Sequence, residues 1–384
     1  MHTAERSRPG RPSVDTAFAV GGLAGNNAFG AGFLQAALDA NVRPDLISCT
    51  SGQLLWVYRY LVALRGSAPR EGVLRDQLQE DIRAHSPTGV EPIDLAWMAM
   101  KGKRDEFRPT ILETPLAMMS NWAAAMARIT TNGLADWHTL FSCYRELATI
   151  LPAQTLAPQF PESFFRDVSD EFNSSTGVGV AFNSFDVSEG EERVSLNERA
   201  RTLLNVDYGE SNRYRPRSTY DRTTADAVRE SLWIFEYGPP AKGGERLDGA
   251  YYRQIMLSEM APARTIYVAR PINFRWGQAV PTSWSRLQCL KTAVNFNGSY
   301  SAERDKILLV NKLMRMPGVG EALKEEGFHE ITLVELEIDR DPDFFDYARE
   351  SLDVFDDAYE KAVCAFKRRA GPKSRLPRSV QVFV

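Results

Sequence analysis

Short apolar runs alternate with helix-length ones over the first 65 residues. Thr16 to Val20 is a short, largely apolar run ending at Gly21-Gly22, which predicts a buried strand feeding a glycine-rich loop. Phe29, Phe33, Leu34, Ala37 and Leu38 then recur at helical spacing within Phe29 to Ala40. Arg43-Pro44-Asp45 predicts a turn, and Leu46 to Cys49 a second short strand. Gly52 to Leu64 is apolar nearly all round, as a helix inside a large domain is. Two strand–helix units in close succession predict a parallel sheet with right-handed crossovers.

The texture changes over residues 87–161, where five of the ten methionines stand beside Trp97, Trp122 and Trp137. This stretch reads as a helical insertion packed near the sheet, with methionines suited to lining an acyl-chain groove. Sheet texture returns at Gly177 to Phe182. Arg193 to Tyr220 is polar and reads as loop-rich, Ala225 to Trp233 as helix, and Thr265 to Ala269 as a buried strand. Trp284 to Leu323 reads as mainly helical, Glu330 to Ile338 alternates as a strand does, and Phe344 to Arg369 reads as a closing amphipathic helix. Residues 1–13 read as a disordered basic arm, 14–370 as one α/β domain, and 371–384 as a solvated tail.

Composition narrows the function classes. A net charge of −4 argues against nucleic acid as a partner. Cys49, Cys143, Cys289 and Cys364 form no CxxC pair, which favours a reducing, cytoplasmic compartment over a disulfide framework. The four histidines are scattered, so neither a metal nor a cofactor is expected. No apolar stretch reaches the roughly 20 residues that span a bilayer, so any membrane contact would be peripheral.

Three local motifs carry chemistry. Leu46 to Gly52 runs strand, serine, helix, which would hold Ser51 out at the carboxyl edge of the sheet with helix N–H groups beside it. Gly21-Gly22-Leu23-Ala24-Gly25 ends the first strand, and its amides are candidates for an oxyanion hole on Gly21, Gly22 and Leu23. Leu247-Asp248-Gly249-Ala250 supplies a carboxylate able to act as base toward a serine. Each has a plainer reading: a helix cap for Ser51, a turn for the glycines, and an Asp-Gly turn for Asp248.

Taken in order, these motifs resemble the patatin-like acyl hydrolases and phospholipases. Gly21 to Leu38 followed by Pro44 to Gly52 looks like that family's glycine loop, helix and G-T-S-A/G-G elbow. Phe185 to Glu191 is similar to its T-D-x-x-T-G-E strand end, Ala227 to Ser231 to its A-x-x-A-S helix, and Asp248-Gly249-Ala250 to its D-G-G/A motif. The resemblance implies a three-layer α/β/α domain with a mainly parallel sheet, a helical insertion and a helical C-terminal extension. It also implies a Ser51–Asp248 dyad that needs no histidine and cleaves carboxylic esters, with lipid esters as the favoured substrate. Cys49 and Gln53 stand where the family's elbow has glycines, Leu23 and Ala24 replace loop glycines, and Asn26-Asn27 replaces Arg/Lys-Gly. Two rivals follow: an impaired patatin-like module that binds lipid or acts as a scaffold, and a nucleotide-binding α/β protein, which the missing Lys-Ser/Thr disfavours.

Overall fold

The computed structural model describes residues 14–23, 26–66, 70–85, 107–109, 116, 119–124, 126–127, 156–158, 161–175, 177–212, 215–234, 245–277, 279–282, 284–340, 351–370 and 380–383. The chain begins with β1 (Val14–Val20), α1 (Asn27–Asp39), β2 (Leu46–Cys49), α2 (Gln53–Arg65) and α3 (Val73–His85). It continues with β3 (Phe107–Pro109), β4 (Leu156–Pro158), α4 (Glu162–Ser174), β5 (Gly179–Asp186), β6 (Glu191–Leu196), α5 (Glu198–Leu204), β7 (Ser211–Asn212) and β8 (Arg215–Arg222). The remainder is α6 (Ala225–Ser231), β9 (Arg246–Asp248), β10 (Ala263–Arg270), α7 (Trp284–Met314), α8 (Val319–Glu325), β11 (Thr332–Glu337), α9 (Leu352–Ala370) and β12 (Val380–Phe383).

These residues fall into two compact units, one of 1–82, 165–232 and 246–384, the other of 83–164 and 233–245. The first unit holds a ten-stranded sheet in the order β12-β11-β10-β1-β2-β5-β6-β8-β7, with β9 joined to β5. Strands β11, β10, β1, β2 and β5 run parallel, as the opening strand–helix units predict. β1, β2 and β10 are almost continuously buried because helices or loops cover both faces. On one face Phe18 and Tyr267 meet Phe33 of α1 and Phe366 of α9, with Phe18 and Phe33 edge to face at 4.9 Å. On the other, Ala17, Ala19, Ile266 and Val268 pack against Tyr300 and Ile307 of α7 and the segment Ile255–Met260. The result is the expected three-layer α/β/α arrangement with a largely parallel sheet.

Two expectations meet a different outcome. Arg193 to Tyr220 is not loop-rich: it contributes to β6 and β8 and contains α5 and β7. α5 starts where the Asn197 side chain accepts from Ala200 N and ends at Asn205 in the left-handed region, so its caps are local signals. The chain's end is not only tail, since Val380–Phe383 pairs antiparallel with β11. Much of 87–161 lies outside the described residues. The second unit's described part contains a two-stranded antiparallel sheet, β3 with β4, besides helical residues between 116 and 127. The arm at 1–13 and the first residues of the closing helix also lie outside the described residues.

Charge inside the first unit is concentrated behind β9. Arg253, wholly buried, donates to Glu192 at 2.8 Å, to Glu259 at 2.8 and 3.0 Å, and to Glu303 at 3.0 Å. Arg215 adds a second guanidinium on Glu303 at 2.7 Å. Asn183 and Ser218 donate to Glu192, Asn212 to Glu259, and the Leu257 amide to Glu303. Three carboxylates thus face two guanidinia. Burial pushes Glu259 up despite Arg253, whereas at Glu303 the same burial is outweighed by Arg253, Arg215 and the Leu257 amide, which hold it low.

A separate buried carboxyl, Glu335 of β11, faces Tyr300 of α7. Neither Glu335 oxygen nor the Tyr300 hydroxyl has hydrogen-bond geometry with any described residue. Burial pushes Glu335 above the usual carboxylate range, and Tyr300, Arg270 and Arg304 only partly offset it.

Two stability predictions follow from these buried charges. Arg253→Met leaves three carboxylates without their common partner, so urea unfolding should show a loss of about 3–5 kcal/mol at pH 8. The loss should be smaller near pH 5, where the stranded carboxylates can take up protons; an unchanged midpoint at both pH values refutes the network's role. Glu335 binds its proton more tightly folded than unfolded, so its contribution to stability falls as pH rises above about 4.3. Glu335→Gln should therefore raise the thermal midpoint relative to the parent at pH 8 and by less at pH 4, and the reverse order would contradict the assigned direction.

Candidate active site

The turn between β2 and α2 carries the first expected residue. Ser51 has φ +53°, in the left-handed region. Only two other described non-glycine residues share that region, Asn41 and Asn205, and both follow helix ends, where asparagine is ordinary. For a serine the conformation costs on the order of 1–3 kcal/mol and persists only where the surroundings impose it. The imposing contact is visible: a Cβ on Gly22 would lie 2.1 Å from the Thr50 carbonyl oxygen and 2.7 Å from Ser51 Cβ. The glycine loop and the elbow therefore touch backbone to backbone, which only glycine at position 22 permits.

Polar bonds lock that contact to the segment after Asp248. Gly22 N donates to Thr50 Oγ1 at 2.9 Å, Thr50 Oγ1 donates to the Gln254 carbonyl at 2.7 Å, and Gln254 Nε2 donates to the Gly22 carbonyl at 3.0 Å. Ser48 Oγ adds a bond to the Met256 carbonyl at 3.0 Å. None of these partners is legible from local spacing, since more than 200 residues separate Thr50 from Gln254.

Asp248 ends β9, which pairs with β5 next to β2. β5 is flanked along Ala181–Asp186 by β6, so its other edge is shared by β2 and β9. β2 ends with Cys49 opposite Phe182, and the antiparallel β9 ends with Asp248 opposite Ser184. The two strands therefore meet end to end, with Cys49 and Asp248 at positions about 7 Å apart along β5. Ser51 leaves from one strand end and Asp248 closes the other. Asn183, between the two pairing positions, holds the junction by donating to the Gly249 and Arg253 carbonyls at 3.3 and 3.2 Å. Asp248 is 1 % exposed, and its Oδ1 accepts from Ala250 N at 2.8 Å.

The substituted elbow positions have local compensations. Cys49 is fully buried inside β2, and burial drives its thiol far upward, so it is an inert packing group and not a competing nucleophile. Gln53 folds back over α1, where Gly30 leaves room: a Cβ on Gly30 would lie 2.4 Å from the Gln53 amide. Gln53 Nε2 donates to the Asn27 carbonyl at 2.9 Å. Asp186 of the strand-end motif accepts from Ser188 and Glu189 N and pairs with Arg246 of β9, and these bonds outweigh its burial to leave its pKa lowered.

The three amides expected to form an oxyanion hole each have an acceptor within the fold. Gly21 N donates to the Ala269 carbonyl at 3.1 Å, Gly22 N to Thr50, and Leu23 N to Asn27 Oδ1 at 3.0 Å. All three amides are engaged within the fold: Gly21 N continues the sheet's bonding, and side chains take Gly22 N and Leu23 N. Asn27, Thr50, Asn183 and Gln254 are the residues that motif reading passes over. Their one sequence signal is the Asn26-Asn27 pair that stands in place of Arg/Lys-Gly.

Other groups lie elsewhere. His329 bonds the Ala263 carbonyl at 3.2 Å, at the amino end of β10 and the edge opposite Ser51. A cavity of about 270 Å³ occupies that same opposite edge, lined by Leu204, Tyr220, Ile307 and His329 among others. Among the described residues, no three His, Cys, Asp or Glu side chains group so as to hold a metal ion. No described helix is long and apolar enough to cross a membrane.

No family model and no curated protein matches the chain. Among solved structures, the crystal structure of VipD from Legionella pneumophila is similar at 11% identity and a TM-score of 0.32, over 97% of this chain and 68% of that one.

Proposed function

We propose that this protein is a serine acyl hydrolase that cleaves carboxylic esters, with Ser51 as nucleophile and Asp248 as base. The observation that supports the reading is a serine in the left-handed region just past the end of β2, while β9 ends in the buried Asp248 two positions further along the same edge of β5. Strain of this kind clusters at functional sites, and a helix cap needs none of it. The resemblance of these motifs to patatin-like acyl hydrolases favours lipid esters among possible substrates.

In this mechanism Asp248 accepts the Ser51 hydroxyl proton as Oγ bonds to the ester carbonyl carbon. The tetrahedral oxyanion forms above the first turn of α2, where the Gly52 amide has no acceptor among the described residues. Collapse breaks the bond to the alcohol oxygen, which leaves with the proton from Asp248. Water then attacks the acyl-Ser51 ester, gives its proton to Asp248, and the acid departs as Ser51 recovers that proton. No histidine and no metal takes part.

Purified protein should hydrolyse a nitrophenyl acyl ester with chelator present, and a fluorophosphonate should label Ser51. Ser51→Ala and Asp248→Asn should each lower kcat at least about 10³-fold with the fold retained, since the two groups act as one unit. A folded parent protein with neither turnover nor labelling refutes the hydrolase and favours a lipid-binding or scaffold module on the same fold.

A further inference from the structure

With the three glycine-loop amides engaged, the site as described has one backbone donor, Gly52 N–H. Acyl-transfer centres need more than one group aimed at the developing charge. The fold offers a second. Asn27, the first residue of α1, is 6 % exposed. Its Oδ1 accepts the Leu23 amide at 3.0 Å, which fixes which way the side-chain amide points. The other end, Nδ2, has no acceptor among the described residues. It sits over Gly52, only 2.2 Å from where a Cβ on that residue would be. A side-chain N–H₂ with no protein acceptor that keeps some access to solvent is a donor that a bound group can take. Here it lies against the residue following the nucleophile.

We infer that the Asn27 side-chain amide is the second oxyanion donor at Ser51, acting with Gly52 N–H in place of the glycine-loop amides. This rests on reading Ser51 as an acyl-transfer nucleophile. The division of labour is consistent across the loop. Leu23 N–H spends its hydrogen bond orienting Asn27, Gly22 N–H spends its own on Thr50, and the charge-stabilising role passes from backbone to side chain. It also accounts for Gly52, whose missing side chain is the space Asn27 Nδ2 occupies. Because the donor is held by one hydrogen bond and by close packing, it requires no rearrangement as the oxyanion forms.

Three full-length variants test this against the parent with a nitrophenyl acyl ester. Asn27→Asp keeps the acceptor for Leu23 N–H and removes the donor. Asn27→Ala removes both. Gly52→Ala keeps every chemical group but its Cβ displaces the Asn27 amide. Each should lower kcat about 10²–10³-fold, the usual effect of losing one oxyanion donor, with KM within about threefold; Asn27→Asp, which keeps the Leu23 bond, should also leave the thermal midpoint nearly unchanged. In the parent, the Asn27 side-chain ¹⁵N–¹H signals should move downfield when a fluorophosphonate occupies Ser51. A folded Asn27→Asp enzyme within about threefold of parental kcat overturns the inference while leaving the Ser51–Asp248 dyad standing. If Asn27→Asp does not fold, unshifted Asn27 signals in the adduct, or parental kcat in Gly52→Ala, overturn it instead. If the parent neither turns over nor labels, the nucleophile reading fails and this donor fails with it.

Discussion

The geometry of the site depends on β5 having two tenants on one edge. β2 occupies Gly179–Phe182 and β9 occupies Ser184–Asp186, running in opposite directions toward Asn183. Because hydrogen-bond register in a sheet is discrete, the two strand ends have little freedom to drift relative to each other. A slip of β9 by one residue would turn the Asp248 side chain to the opposite face and take it from the elbow. The buried amide of Asn183 bonds the Gly249 and Arg253 carbonyls and so resists such a slip.

Behind that junction lies the Arg253 network. Its carboxylates come from β6, from the turn at Glu259 and from α7, so one guanidinium ties the chain after Asp248 to three separate parts of the unit. Burying charge on this scale is a poor way to gain stability compared with an apolar core. What it confers is selectivity of arrangement: the bonds satisfy each charge in one packing of β6, β8 and the 248–260 segment. The same segment supplies the Gln254 and Met256 carbonyls that hold Thr50 and Ser48 of the elbow. The elbow strain at Ser51 is thus balanced by a rigid support several residues deep.

The departures from glycine around the elbow are accommodated by exchange of space between elements. Gln53 occupies room that Gly30 vacates on α1, and Asn27 occupies room that Gly52 vacates on α2. The side chains at the start of α1 and α2 interlock across the turn, so the volume absent from one helix is filled from the other. Packing at interior density leaves no other solution for a polar side chain at position 53.

The early strand–helix alternation, the buried strand at 265–269, the long helix after 284 and the Ser51 and Asp248 motifs are all legible in the sequence, because apolar periodicity and turn residues are local properties. Arg193 to Tyr220 misleads for a physical reason. Its strands point Arg215 and Ser218 at the Glu192 carboxylate, so buried positions are polar and the alternation that marks a strand is lost. Val380–Phe383 is too short to declare itself and becomes a strand only because β11 offers an open edge. The sequence by itself determined which residue types stand at the elbow and the Asp-Gly turn. Tertiary structure alone decided that β2 and β9 share an edge of β5, that the loop amides are engaged, and that Asn27 lies over Gly52. Each of those depends on groups brought together from distant parts of the chain, and no local pattern encodes which buried donor will be left without an acceptor.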